Sequence, residues 1–180
     1  MVKQKMHEHN ERAGNNNNYN NYYQSKINKK FLDSLSKFIQ SVESQMDIML
    51  PGAASLQFLS RYKIFDFIIS QKLTKNIIIR LLCPLNDNNT QLTQQLVPFI
   101  GYRSIKPILS NSSSNSLFLI KDKQDIFSIS VNMQKLSYQH DSQDIDTVFT
   151  LDNWIYSKNI SIVRNAVYSF DLIWEEKEKK

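Results

Sequence analysis

Apolar positions between residues 26 and 45 recur at steps of four and three: Ile27, Phe31, Leu35, Phe38 and Val42, widened by Leu32 and Ile39. That spacing gathers them on one side of a 3.6-residue turn and predicts an amphipathic helix. Its stripe can be covered by its own domain or by a second copy of the chain, and the pattern spans too few heptads to establish a coiled coil. MDIMLPGA then reads as a short strand closed by Pro51 and Gly52. A helical pattern follows from about Ser55 to Leu73, with Leu56, Leu59, Phe65, Ile68 and Ile69 as its apolar positions. NIIIRLLCP is apolar without alternation, as expected of a strand buried on both faces, and it ends at Pro84.

The remaining pattern predicts a helix from about Asn89 to Phe99 and a third strand from Tyr102 to Ile108. Two further strands, Leu117 to Ile120 and Ile126 to Val131, are joined by the charged turn KDKQD. Another strand is expected over Thr147 to Leu151. A closing helix covers Ser161 to Lys177, with Ile162, Val163, Ala166, Val167, Phe170, Ile173 and Trp174 on one broad face. A strand, a helix and a second apolar strand imply a parallel crossover, so the fold class is α/β with a mixed sheet flanked by helices.

Composition adds a tail to this picture. Residues 1 to 25 contain NNNNYNNYYQ and almost no aliphatic side chains, so they bury too little to offset their ordering entropy, and disorder is expected. Deleting residues 1 to 24 is expected to leave the melting temperature nearly unchanged; a fall of several degrees would show that the tail packs. The net charge of +5 belongs mainly to this end. Residues 1 to 30 hold six basic against two acidic side chains, leaving 16 and 15 for the rest. A folded part so nearly neutral argues against a nucleic-acid face, and a nucleic-acid arm in the tail is the weaker reading. No apolar run approaches the roughly 20 residues that span a bilayer, and the N-terminus is unlike a signal peptide, so the expected location is cytoplasmic. Cys83 is the single cysteine, which excludes an internal disulfide and a multi-cysteine metal site; its apolar run suggests a buried thiol. His7 and His9 lie in the tail as HEH, too few ligands for a metal.

The stretch NSLFLIKDKQDIFSISVN, Asn115 to Asn132, resembles the phospholipase D half-site, HxKxxxxD followed by GSxN, with its chemistry removed. In that superfamily the His attacks phosphorus and the Lys binds phosphate oxygens, and the aligned positions here are Asn115 and Leu117. Asp122, Ser130 and Asn132 match the later positions, and Ile129 stands in place of Gly. A carboxamide has no basic nitrogen for a phosphoryl intermediate, and Leu supplies no charge. The resemblance therefore implies binding without catalysis, and no cofactor.

Residues 26 to 176 as a whole resemble the phospholipase D-like sensory domains of archaeal histidine kinases, related to the effector-binding domains of archaeal sugar-responsive transcription regulators. MDIMLP and NIIIRLLCPLND are similar to a strand ending in a small-residue loop and a V-R-I-L-T-P strand of such sensors. SLFLIKD lies in the half-site, and YSKNISIVRNAVYSFDLIW resembles a Y-S-N-S segment leading into a helix that ends F-x-x-L-W. On this resemblance residues 26 to 45 lead into a phospholipase D-like half domain spanning 46 to 180.

A kinase output is not expected, since glycine occurs at positions 14, 52 and 101 and builds no phosphate loop. The expected function is that of a sensory or regulatory domain binding a small metabolite or a partner such as a histidine kinase; the alternative is a cryptic phosphodiesterase or nuclease. Against the alternative, the folded part offers His140, in the polar segment SYQHDSQD, as its one histidine for acid or base work. Ligands of open α/β sheets gather beyond the carboxyl ends of parallel strands. The candidate ligand-binding residues are accordingly Pro51, Gly52, Ser55, Pro84, Asn86 and Asp87, with Asn115, Asp122, Ser130 and Asn132 expected to face the same region. Arg61 and Arg80 could add charge or be structural, Asp122 could serve its turn, and Asn153 or Trp154 could anchor the last strand. One half-site without an internal repeat suggests a homodimer, assisted by the stripe Phe31, Leu35, Phe38 and Val42.

Overall fold

The computed structural model describes residues 29–84, 90–105, 114–136 and 146–176. The expectations for the tail, for Asn86 and Asp87, and for His140 fall outside them. In chain order the elements are α1 (Lys29–Gln40), β1 (Gln45–Met49), α2 (Ala53–Arg61), α3 (Ile64–Lys75), β2 (Ile78–Pro84), α4 (Thr90–Leu96), β3 (Gly101–Ile105), β4 (Ser114–Lys121), β5 (Asp125–Leu136), β6 (Asp146–Ser157) and α5 (Ile160–Glu176). The strands form one sheet in the order β3-β2-β1-β4-β5-β6. β1, β2 and β3 run parallel, whereas β4, β5 and β6 form an antiparallel meander attached to β1. Mixed α/β architecture is thus what the residue pattern predicts.

Strand alternation divides the side chains between two layers. Met46, Ile48, Ile79, Leu81, Cys83, Leu117, Leu119, Phe127, Ile129 and Val131 point to the face covered by α1 to α4 and form the main core with them. The other face carries Leu82, Ile105, Ile120 and Ile126, covered by Val163 and Phe170 of α5. α5 begins after β6 and ends with Trp174 against Gly101 at the start of β3, so it crosses the sheet from one edge to the other. Five strand spacings amount to about 24 Å, and a helix of 17 residues is about 25 Å long. A Cβ on Gly101 would stand 3.3 Å from Trp174, a close approach that would ask the indole to give by a few tenths of an ångström.

The stripe of α1 is consumed by its own domain. Phe31, Leu35, Phe38 and Val42 are all buried. Phe31 and Phe38 meet Phe127 at ring separations of 6.2 and 5.4 Å, and Phe127 stacks on Trp154 at 5.4 Å. Phe38 also meets Tyr156 at 5.9 Å. The aromatic positions on β5 and β6 supply the partners, so the stripe does not support the expected dimer.

The helix predicted from Ser55 to Leu73 is two helices. Tyr62 closes α2, and Lys63 turns left-handed with φ 56°. Leu59 and Phe65 are six residues apart, which is no helical repeat, and the break lets both segments turn their apolar sides to the sheet. Ile64, Phe65 and Ile68 are buried as a result. Lys75 ties the C-terminus of α3 to the end of α1 by donating to the carbonyls of Gln40 and Val42. Among the described residues no helix is long and apolar enough to cross a membrane.

Candidate functional site

β1 hands its chain to α2 at the carboxyl end of the parallel strands. The Leu50 amide donates to the Leu82 carbonyl at 2.9 Å, extending the parallel pairing to the last residue before Pro51. Gly52 then takes the N-cap of α2 in extended backbone and offers no side-chain acceptor to the first turn. Ser55 is one turn inside, its amide donating to the Gly52 carbonyl at 3.2 Å. Its side chain is wholly buried, and its Oγ has no hydrogen-bond partner among the described residues. A buried hydroxyl left unpaired costs about 1–3 kcal/mol, so its retention asks for an explanation.

β2 ends beside this turn. Pro84 carries no amide and stops the ladder, while the Tyr102 hydroxyl donates to the Cys83 carbonyl at 3.1 Å. Burial pushes the Cys83 thiol up to about 12, so it is neutral and unreactive at physiological pH, as its apolar surroundings suggested.

The segment Asn115 to Asn132 lies in the β4–β5 hairpin. Phe118 pairs with Met49, so Ser116 and Asn115 lie beyond the end of β1, level with the Pro51–Gly52 turn. Asn115 is opposite Val131 and Ser114 opposite Asn132. The hydroxyls of Ser116 and Ser130 are 3.0 Å apart across the ladder. Pro51, Gly52, Ser55, Pro84, Ser130 and the backbone of Asn115 and Asn132 are therefore gathered at one end of the sheet. Ser116 joins them unforeseen, although its place two residues before Phe118 on a strand implied the Ser130 partner. Leu117 is buried in the main core.

Asp122 does not join this group. Seven residues of extended chain separate it from Asn115, about 24 Å along the strand, and it lies at the opposite end of the sheet. There its carboxylate accepts the amides of Glu43, Ser44 and Gln45 at 3.1, 2.8 and 2.9 Å and the Ser44 hydroxyl at 2.8 Å, fastening the hairpin to the start of β1. Asp122 and Lys123 are both left-handed, with φ 50° and 57°. Such a turn suits the twist of a hairpin but is strained for Lys. Burial alone would raise the Asp122 carboxyl, but the amides of Gln45, Ser44 and Glu43 and the Ser44 hydroxyl outweigh it and hold the acid below its ordinary value of 3.8. An acid stronger in the folded than in the unfolded chain contributes stability above that ordinary range and loses it as pH falls below it. Asp122→Asn keeps a side chain that tolerates the left-handed turn; it is expected to lose about 1–2 kcal/mol at pH 7, the scale of a lost capping carboxylate, and to match the wild type more closely near pH 3 in urea titrations.

Arg80 is structural. It donates through Nε to Asp47 at 2.7 Å and through Nη2 to Asp47 at 2.8 Å and Asp171 at 2.7 Å. Lys123 adds a bond to the other Asp171 oxygen at 2.8 Å. The guanidinium lies over Phe170 and Trp174, 4.8 and 5.2 Å from their centroids. Asp47 is 1% exposed and takes further bonds from the Gln45 amide group at 2.8 and 2.9 Å. The network clips α5 to β1 and β2 rather than opening to a ligand. Arg61 is exposed in the last turn of α2, Asn153 is exposed and accepts the Trp154 amide, and Trp154 belongs to the aromatic cluster under α1.

The first turn of α2 can donate amides to an anionic or hydroxylated ligand, whereas the Ser116 and Ser130 hydroxyls, alternating with the core residues Leu117 and Ile129, point to the α5 face of the sheet. Compared with known proteins, the chain matches no family model and no curated protein sequence.

Proposed function

We propose that the chain is a non-catalytic sensory domain of the phospholipase D-like kind, which binds a small metabolite at the carboxyl ends of β1 and β2 and passes the bound state to a signalling partner. The observation that carries this reading is Ser55, whose buried Oγ is unpaired beside an N-cap, Gly52, that leaves the first-turn amides without a side-chain acceptor. A ligand oxygen seated there would satisfy both. The β4–β5 hairpin supports the same reading in part, by bringing Asn115, Ser130 and Asn132 to that end of the sheet while its turn carries Asp122 to the other. Asn115 and Leu117 in place of a nucleophile and a cation support binding over turnover.

The reading sets Ser55 apart from an ordinary structural serine. Removing an unpaired buried hydroxyl relieves its desolvation cost, and alanine is the better helix former. Ser55→Ala is therefore expected to raise the stability of the ligand-free protein by up to about 1 kcal/mol. Chemical unfolding that shows a loss of that size would place the hydroxyl in the structural framework. Purified protein is also expected to leave a generic phosphodiester intact; turnover abolished by Asn115→Ala would overturn the non-catalytic reading.

A further inference from the structure

The far end of the sheet holds a second cleft, separate from the strand-end site. It has a volume of about 320 Å³ and is lined by Lys123, Gln124, Ile160, Val163, Arg164 and Val167. That is the lower end of the range for small-ligand sites. Lys123 and Gln124 of the β4–β5 turn form one wall and the first two turns of α5 the other.

We infer that this cleft binds a small monoanionic acid with a short aliphatic tail. Among the described residues around the cleft, the cations are paired with carboxylates except for one, and the Asp122 carboxylate is held by backbone amides and the Ser44 hydroxyl. Asp171 is shared by Arg80 and Lys123, Asp47 holds Arg80, and Asp125 is paired with Lys121 at 2.5 Å. Arg164 is the surplus cation of the lining, on the exposed side of α5. A guanidinium matches a carboxylate with two parallel bonds, and Lys123 and Gln124 face it from the turn as further donors. The first amides of α5 are not the anchor, because Asn159 already caps them, its Oδ1 accepting from Ser161 at 3.0 Å and Ile162 at 3.3 Å.

The floor fixes the rest of the ligand. Val163 is buried and Val167 partly so, whereas Ile160 is 71% exposed at the mouth of the cleft. A short acyl chain lying on Val163 and Val167 removes Ile160 from water while its carboxylate reaches Arg164. The strained Lys123 backbone has a role here, since it holds that side chain against the cleft wall while Asp122 anchors the turn to β1.

Titration of the full chain with hexanoate, followed by amide NMR, tests the assignment. Saturable shifts are expected at residues 123–124 and 160–167. Arg164→Glu should weaken binding about tenfold or more, whereas Arg61→Glu, a surface charge reversal on α2, should leave it unchanged. Hexylamine, with a similar tail and the opposite charge, should not bind. Absence of saturable shifts, equal binding of hexylamine, or undiminished binding by Arg164→Glu would overturn the proposal. Saturation of the same residues by inorganic phosphate with equal affinity would overturn its aliphatic part.

Discussion

Arg80→Met is expected to destabilise the protein by about 3–5 kcal/mol, the scale on which removal of one partner leaves a buried charge uncompensated. Methionine keeps much of the packing volume against Phe170 and Trp174, so the loss reports charge more than a cavity. Asp47, 1% exposed, would retain the Gln45 amide group as its donor in place of a guanidinium. Adding Asp47→Asn should recover part of the loss, because it removes the buried charge that Arg80 no longer compensates. Urea unfolding of the three proteins at pH 7 measures these differences, and a deficit that Asp47→Asn leaves unchanged would assign Arg80 to packing alone.

The double substitution Phe31→Glu and Phe38→Glu is expected to prevent folding at 25 °C. Each ring is buried against Phe127, and truncating a buried Phe to Ala already costs about 3–5 kcal/mol. Two buried carboxylates add desolvation, and the total exceeds the roughly 5–15 kcal/mol that holds a domain together. Circular dichroism should show no cooperative melt. A variant that is folded, monomeric and as stable as the wild type would mean that α1 leaves the sheet and serves an interface.

Much of the fold was legible because its elements are strongly patterned. The α1 stripe, the apolar run of β2, the β4–β5 hairpin and α5 all follow from periodicity, with ends displaced by a few residues. β6 was underestimated as Thr147 to Leu151. Its second half, NWIYS, alternates Trp154 and Tyr156 toward α1 with Ile155 to the outside, a signal of period two that the aromatic residues carried. The break at Lys63 was also present in the sequence, as the six-residue step from Leu59 to Phe65.

The site was legible only in part, for a geometric reason. Matching a motif by spacing places Asp122 with Asn115, but seven residues of strand carry it to the other end of the sheet, where backbone amides rather than a ligand claim it. Ser116 belongs to the strand-end group through its cross-strand partner, a relation that follows from register and not from neighbours in the chain. The Asp47–Arg80–Asp171 network joins residues up to 124 positions apart in sequence, counting from Asp47 to Asp171, and no local pattern announces it.

The account turns on whether a ligand occupies the turn between β1 and α2. Thermal-shift titration with a panel of phosphorylated, carboxylated and hydroxylated metabolites, run on the wild type and on Ser55→Leu, addresses it most directly. Leucine removes the Ser55 hydroxyl and crowds the position beside it where a ligand oxygen would bind. At least one compound is expected to raise the wild-type melting temperature in a saturable way and to leave folded Ser55→Leu unshifted. A panel without any shift, or shifts that persist in full in Ser55→Leu, would contradict a metabolite site at the strand ends.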